Sequence, residues 1–282
     1  MRNRVDFSFA IGMLRRNAAL MLFPIISGVV VILVSLALLA PFGLQLINDA
    51  AAGTETKTGP LTIAILVICL IVDAIVVTFF NGALMAEALV VVQGGHASVG
   101  HGVATAGRRL PQILAWGLVT ATVGLILSAL REKGGIGGAL LSILGGAAWG
   151  VATLFVLPVV IVEGSYPVAA IKRSIAILRS LFGPGVALGG LRKAWGFGIA
   201  YLVLTLGGIF LAIALIIVGV ATQNVAVGVP AIIGAVLIIG LVVIVASALG
   251  AMVSAILYVY AVDRTTPPQV DAALLQSGLA VR

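Results

Sequence analysis

The sequence predicts an all-α fold, a polytopic bundle of about six transmembrane helices with amphipathic helices at one membrane face. Three observations carry this expectation. Of the 282 residues, 62% are apolar and only 9% are charged, against a usual charged share of about 25%. So little polar side chain cannot cover a water-facing surface, and lipid becomes the fitting solvent. Six apolar runs, near 18–46, 61–92, 111–131, 136–162, 196–221 and 229–262, each reach the roughly 20 residues that cross a bilayer. Finally, Lys and Arg crowd into alternate gaps between the runs, an asymmetry that an odd number of spans would scramble.

Residues 4–17 place Phe7, Ile11, Leu14 and Ala18 on one helical face, against Arg4, Ser8, Arg15 and Arg16. The first apolar run follows and continues well past the roughly 7–15 residues of a signal-peptide core, so it is expected to be retained. Pro41 should kink or end that helix unless neighbours satisfy the freed carbonyl. The gap at 47–60, with Asn48, Asp49, Gly53, Gly59 and Pro60, reads as a turn-rich loop. The second run holds the single cysteine, Cys69, which excludes an internal disulfide and reads as apolar filler. Residues 98–110 form a second, weaker amphipathic segment, with Val99, Val103, Ala106 and Leu110 apolar and His101, Thr105, Arg108 and Arg109 polar.

The third run offers Thr120, Gly124 and Ser128, and the fourth Gly134, Gly138, Ser142, Gly146 and Gly150, in both cases at steps of four. Small residues in register permit close backbone approach in lipid. These two runs should therefore form a tight antiparallel hairpin, which Gly146→Leu would disrupt. Pro158 should act on the fourth run as Pro41 does on the first. Residues 167–182 give the clearest amphipathic helix, with Val168, Ile171, Ile175, Leu178 and Phe182 in a stripe, Lys172, Arg173, Arg179 and Ser180 off it, and Pro167 in the first turn. A single transmembrane domain over 1–265 and a cytoplasmic tail over 266–282 complete the expected organisation.

Each amphipathic segment precedes a pair of spans, which suggests a threefold repeat of amphipathic helix plus hairpin. Gln93-Gly94-Gly95 aligns with Glu163-Gly164-Ser165, and Ser8-Phe9-Ala10-Ile11 resembles Ser174-Ile175-Ala176-Ile177. All three amphipathic helices then share one face. That face takes thirteen of the 16 Lys and Arg, and Lys57, Arg131 and Lys133 take the other. The positive-inside rule places both termini in the cytoplasm. The net charge of +7 then matches anionic headgroups at the cytoplasmic face, with the lipid bilayer as partner. Nucleic acid is not expected, because aromatics are few and the basic residues lie between apolar runs. Association with a second copy is left open.

Ionisable groups inside a membrane are costly, so each is a functional candidate. Asp73, Asn81 and Glu87 lie on the second span, Asn81 about 80° and Glu87 about 40° from Asp73 around the axis. They can face one polar seam, either a protonatable path or a clamp to Ser or Thr of a neighbouring span. Glu163 ends the fourth span, where Lys172, Arg173 or a helix N-terminus are its expected partners in a structural interface. His96 and His101 have no Cys or paired carboxylate beside them, so no metal site is expected. No triad motif and no phosphate loop are present. Catalytic residues and cofactors are therefore expected to be none. Trp149, well inside its span, reads as packing or pore lining.

The run Glu163-Gly164-Ser165-Tyr166-Pro167-Val168-Ala169-Ala170-Ile171-Lys172-Arg173-Ser174 resembles a signature of uncharacterised prokaryotic six-span membrane proteins, and Leu257-Tyr258-Val259-Tyr260-Ala261 is similar to the end of their last span. More distantly, the layout is similar to the membrane domain attached to some bacterial glycerophosphodiester phosphodiesterases. The resemblance implies a helical membrane fold and brings no activity. Two functional readings follow. Transport or permeation of a small molecule or lipid rests on the polar seam and Gly-rich spans. A non-catalytic scaffold or assembly factor rests on the basic amphipathic collar.

Overall fold

The computed structural model describes residues 12, 14, 16–53, 59–182, 195–222 and 224–263. The elements among them are all helices: α1 (Ala19–Ala51), α2 (Pro60–Val92), α3 (Val99–Arg108), α4 (Leu110–Lys133), α5 (Gly135–Ala152), α6 (Val156–Glu163), α7 (Pro167–Phe182), α8 (Trp195–Ala221) and α9 (Val225–Asp263). Six stretches are long and apolar enough to cross a membrane, namely α1, α2, α4, α5 with α6, α8 and α9. The chain is an all-α polytopic bundle. Most of the 4–17 helix, the 266–282 tail, and the cations Lys57, Arg192 and Lys193 lie outside the described residues.

The largest departures from the sequence reading are at helix ends. α1 does not stop near 46 but includes Asn48 and Asp49, and the chain leaves it through Gly53, whose φ is 67°. Polar side chains can sit on a helix that has cleared the hydrocarbon. A residue in the left-handed region does end it. The helix also continues through both Pro24 and Pro41. α9 begins at Val225 rather than near 229, because Asn224 Oδ1 accepts the Ala226 N–H at 2.9 Å and caps the first turn.

The fourth span, expected as one helix, is broken between α5 and α6 at Thr153–Phe155. Pro158 has no N–H to offer the Leu154 carbonyl four residues earlier. Ser254 Oγ of α9 supplies the missing donor at 2.8 Å. On the other side of the break, the Phe155 N–H starts α6 and donates to Ser174 Oγ of α7 at 3.1 Å. Two serines from two neighbours thus satisfy the backbone groups that the break releases.

α2 is the hub, packing on α1, α3, α4, α6 and α9. Burial concentrates where the C-terminal parts of α2, α6 and α9 meet, with Ala83, Val91, Val92, Val156, Val160, Leu249 and Met252 essentially removed from the surface. These are the ends of the second, fourth and sixth spans, the second span in each copy of the expected repeat. Gly94 and Gly164, equivalent in the aligned turns, both take positive φ, at 95° and 65°, before α3 and α7. Away from this end, α1, α2, α5, α8 and α9 present rows of exposed Leu, Ile and Val, among them Ile32, Leu61, Ile143, Val203 and Leu237, as lipid-facing surfaces do.

The α4–α5 hairpin is closest at its turn. A Cβ on Gly138 would collide with the Leu130 carbonyl, and one on Gly134 would meet that oxygen at 2.8 Å. Farther along, Gly145 faces Leu127 at 3.2 Å and Gly146 only at 3.9 Å, Ser142 is half-buried, and Gly150 is exposed with open space. The hairpin therefore closes on Gly134 and Gly138 and then widens. Trp149, left between packing and pore lining by its position, stacks on Trp116 with ring centroids 5.6 Å apart and planes at 18°. That indole pair fills the wider part. On α7 the buried face is Ala170, Ser174, Ile177 and Leu178, and Val168 is 68% exposed. The packed face is rotated from the expected apolar stripe, because small Ala170 and the hydroxyl of Ser174 let α7 approach α6 closely.

Candidate functional site

The polar groups of the buried end form two nodes, each joining an interfacial helix to the span before it. At the second of these, the Gly164 turn ends α6, and Arg109 lies against that end. Its Nε donates to the Ile161 carbonyl at 3.2 Å and its Nη2 to the Val162 carbonyl at 3.3 Å. A cation suits the negative end of a helix and satisfies carbonyls that have no intrahelical donor. Gln112 Nε2 donates to the Gly164 carbonyl at 3.3 Å, and its Oε1 is buried without a partner among the described residues. A Cβ at Gly164 would lie 2.5 Å from Arg109 Nη1, so the turn requires glycine for space as well as for φ.

Glu163 Oε1 accepts from Arg173 Nε at 3.0 Å and from the Tyr258 hydroxyl at 3.1 Å. The carboxylate thus ties the end of α6 to α7 and to α9. Arg173, one of its three expected partners, takes this place. Lys172, another, is exposed on α7 and makes no hydrogen bond or ion pair among the described residues. Spacing alone does not reveal Arg109, Gln112 or Tyr258, because each comes from a distant part of the chain. The one sequence signal is that Tyr258 and Glu163 lie in the two short runs that carry the family resemblance.

At the first node, Glu87 near the end of α2 is fully buried. Its Oε2 accepts the Ser98 N–H at 2.6 Å, and its Oε1 contacts His101 Nδ1 at 2.5 Å. Ser98 is the N-cap position of α3, so the carboxylate sits at the positive end of that helix. The approach is possible because position 102 is glycine. A Cβ there would lie 2.7 Å from Phe23 Cζ, 2.8 Å from Glu87 Cγ and 2.9 Å from the Ala83 carbonyl oxygen. His101 is 58% exposed at its side chain, and His96 is exposed. Among the described residues no three of His, Cys, Asp and Glu converge to hold a metal ion.

Asp73 belongs to neither node. Ser35 Oγ of α1 donates to its Oδ2 at 2.7 Å, and Cys69 Sγ approaches the same oxygen at 3.5 Å and Ser35 Oγ at 3.7 Å. Asp73 Oδ1 is buried with no hydrogen-bond partner among the described residues. Asn81 is half-buried and has no side-chain hydrogen bond among them. Asp73 and Glu87 are separated by about 21 Å along the axis of α2 and reach different helices, α1 and α3. Between them α2 is closed by buried Gly82, Ala83, Leu84, Met85 and Ala86, and a Cβ on Gly82 would meet Ile113 Cδ1 at 3.1 Å. Asp73 and Glu87 therefore serve separate contacts, Asp73 with Ser35 of α1 and Glu87 with the start of α3.

Fold and site together define a polytopic helical bundle in which two carboxylates, Glu87 and Glu163, fasten short amphipathic helices to the spans before them. Within that class the chain belongs to a family of unknown function (DUF6159), whose model matches residues 61–267. That stretch contains both carboxylate nodes and Asp73. No curated protein and no solved structure matches the chain, and the likeness to the membrane domain of phosphodiesterases finds no support in these comparisons.

Proposed function

We propose that this chain is a non-catalytic membrane scaffold or assembly factor, with both termini on the cytoplasmic side of a prokaryotic plasma membrane. The observation that supports it is the state of Glu87, fully buried and bonded through both oxygens. A carboxylate that carries a solute or proton needs access, and this one is sealed in a helix-capping role. Glu163 is likewise engaged with Arg173 and Tyr258. Orientation follows from the thirteen-to-three distribution of Lys and Arg.

Transport of a small molecule or lipid is the second reading, favoured by one observation, the buried and unpartnered Oδ1 of Asp73. Sealed liposomes containing wild type or Asp73→Asn separate the two readings, with small-solute release and lipid translocation as readouts. The scaffold reading expects both proteins to match protein-free liposomes. Flux through wild type that Asp73→Asn abolishes would replace it with transport.

A further inference from the structure

The cations at the buried end divide into engaged and free. Arg109 donates to the carbonyls that end α6, and Arg173 pairs with Glu163. Lys172 and Arg179 are exposed on α7 and make no hydrogen bond or ion pair among the described residues. Among the described residues the acids of this end do not neutralise them, because Glu87 and Glu163 are already partnered and Asp263, exposed at the end of α9, is the one other acid there. Among the described residues the surplus charge on α7 is therefore positive and lies outward.

The geometry of α7 gives that surplus a direction. Its inner face, Ala170, Ser174, Ile177 and Leu178, is buried, so the helix is held in place without help from a ligand. Lys172 and Arg179 lie two turns apart on the outer side, about 20° apart around the axis and about 10 Å apart along it. At the N-terminal end of the same helix Tyr166 is 57% and Val168 is 68% exposed. Cations beside an exposed aromatic and an exposed aliphatic side chain are the composition of a helix lying in the headgroup layer. Its neighbours α6 and α9 end at this level, which places it at a membrane boundary rather than in open water.

We infer that the outer side of α7 binds an anionic phospholipid, with Lys172 and Arg179 on the headgroup phosphate and Tyr166 and Val168 at the acyl boundary. This holds independently of the scaffold reading, because it concerns the annular lipid and not what crosses the bilayer. The occupant is lipid rather than an acidic protein because the apolar groups flanking the cations are single exposed side chains, Tyr166 and Val168, beside the ends of spanning helices, too small a patch for a protein partner and suited to acyl chains.

The test uses the full chain in nanodiscs of equal parts phosphatidylglycerol and phosphatidylcholine, with retained lipid read by native mass spectrometry after mild extraction. Wild type should retain phosphatidylglycerol preferentially, and Lys172→Gln with Arg179→Gln should lower that retention roughly five-fold per cation removed. Arg131→Gln, an exposed cation at the far end of α4, should leave it unchanged, and millimolar inorganic phosphate should not displace the lipid. Unfolding midpoints in phosphatidylcholine alone should match among the variants, since neither α7 cation has a packed partner to lose, and Arg179→Lys should keep the preference. Wild-type retention in the double variant, an equal loss in Arg131→Gln, or displacement by free phosphate would each overturn the inference.

Discussion

Removing the Glu87 carboxylate should detach α3 from the hub. The side chain is fully buried, and its two contacts differ in worth. The Ser98 N–H bond at 2.6 Å is charge-assisted and sits at a helix N-terminus, so its loss should cost about 2 kcal/mol. The His101 contact reaches a side chain 58% exposed, where solvent screening reduces its contribution to about 0.5 kcal/mol. Truncation to alanine also leaves a small void among Phe23, Ala83 and Gly102, worth about another 1 kcal/mol. Glu87→Ala should therefore cost about 3.5 kcal/mol. Glu87→Gln keeps the shape and a neutral acceptor for Ser98, so it should cost only about 1 kcal/mol.

The assay is reversible unfolding of the purified protein in mixed micelles, with amide hydrogen exchange resolved to α3 and α7. The ordering Ala worse than Gln, with faster exchange in α3 and unchanged exchange in α7, is the expected result. If Glu87→Ala stayed within about 0.5 kcal/mol of wild type, a magnitude typical of surface changes, the anchoring role would be refuted. A glutamine variant as damaging as alanine would instead mean that the negative charge has a use beyond capping.

Gly102→Ala should destabilise by about 1–2 kcal/mol despite alanine's better helix propensity. The gain of about 1 kcal/mol is outweighed by three contacts under 3.0 Å, one of them to the Ala83 backbone oxygen, and thermal unfolding checks the sign. Ser254→Ala should cost about 1–2 kcal/mol, since the Leu154 carbonyl is left without a donor. In a Pro158→Ala background the new N–H can reach that carbonyl, so the same substitution should cost less than half as much. Additive losses in that double-mutant cycle would disprove the account of the break.

How far the sequence could be read depended on whether a feature was periodic or singular. The six spans were legible because lipid imposes the same demand over roughly 20 residues at a time, and an error of four residues hardly matters. Helix ends were less legible, because α1 stops on the left-handed Gly53 rather than on Asn48 and Asp49, and α9 starts on the Asn224 cap. The break in the fourth span was half legible. Pro158 announced a freed carbonyl, but nothing in the sequence said that Ser254, about a hundred residues on, would take it. The face of α7 was misread for a related reason. Hydrophobicity favours Val168, whereas packing selected Ala170 and Ser174, whose virtue is small size and a hydroxyl. Asp73 and Glu87 were marked by charge alone, and their separate destinations required Ser35, Ser98 and His101 to be placed in space.

The two nodes meet one structural demand with different residues. At each of them a short amphipathic helix is fixed to the span that precedes it, across a turn with a left-handed glycine, Gly94 or Gly164. The first node does this from within the span, with Glu87 reaching forward to the Ser98 N–H at the start of α3. The second does it from the end of the span, with Glu163 reaching Arg173 in the second turn of α7. The carboxylate has moved along the chain, and its partner has changed from a backbone donor to a guanidinium. Both arrangements supply one buried or half-buried anion to one amphipathic helix, and what must persist is the bond between helix and span rather than the identities that make it.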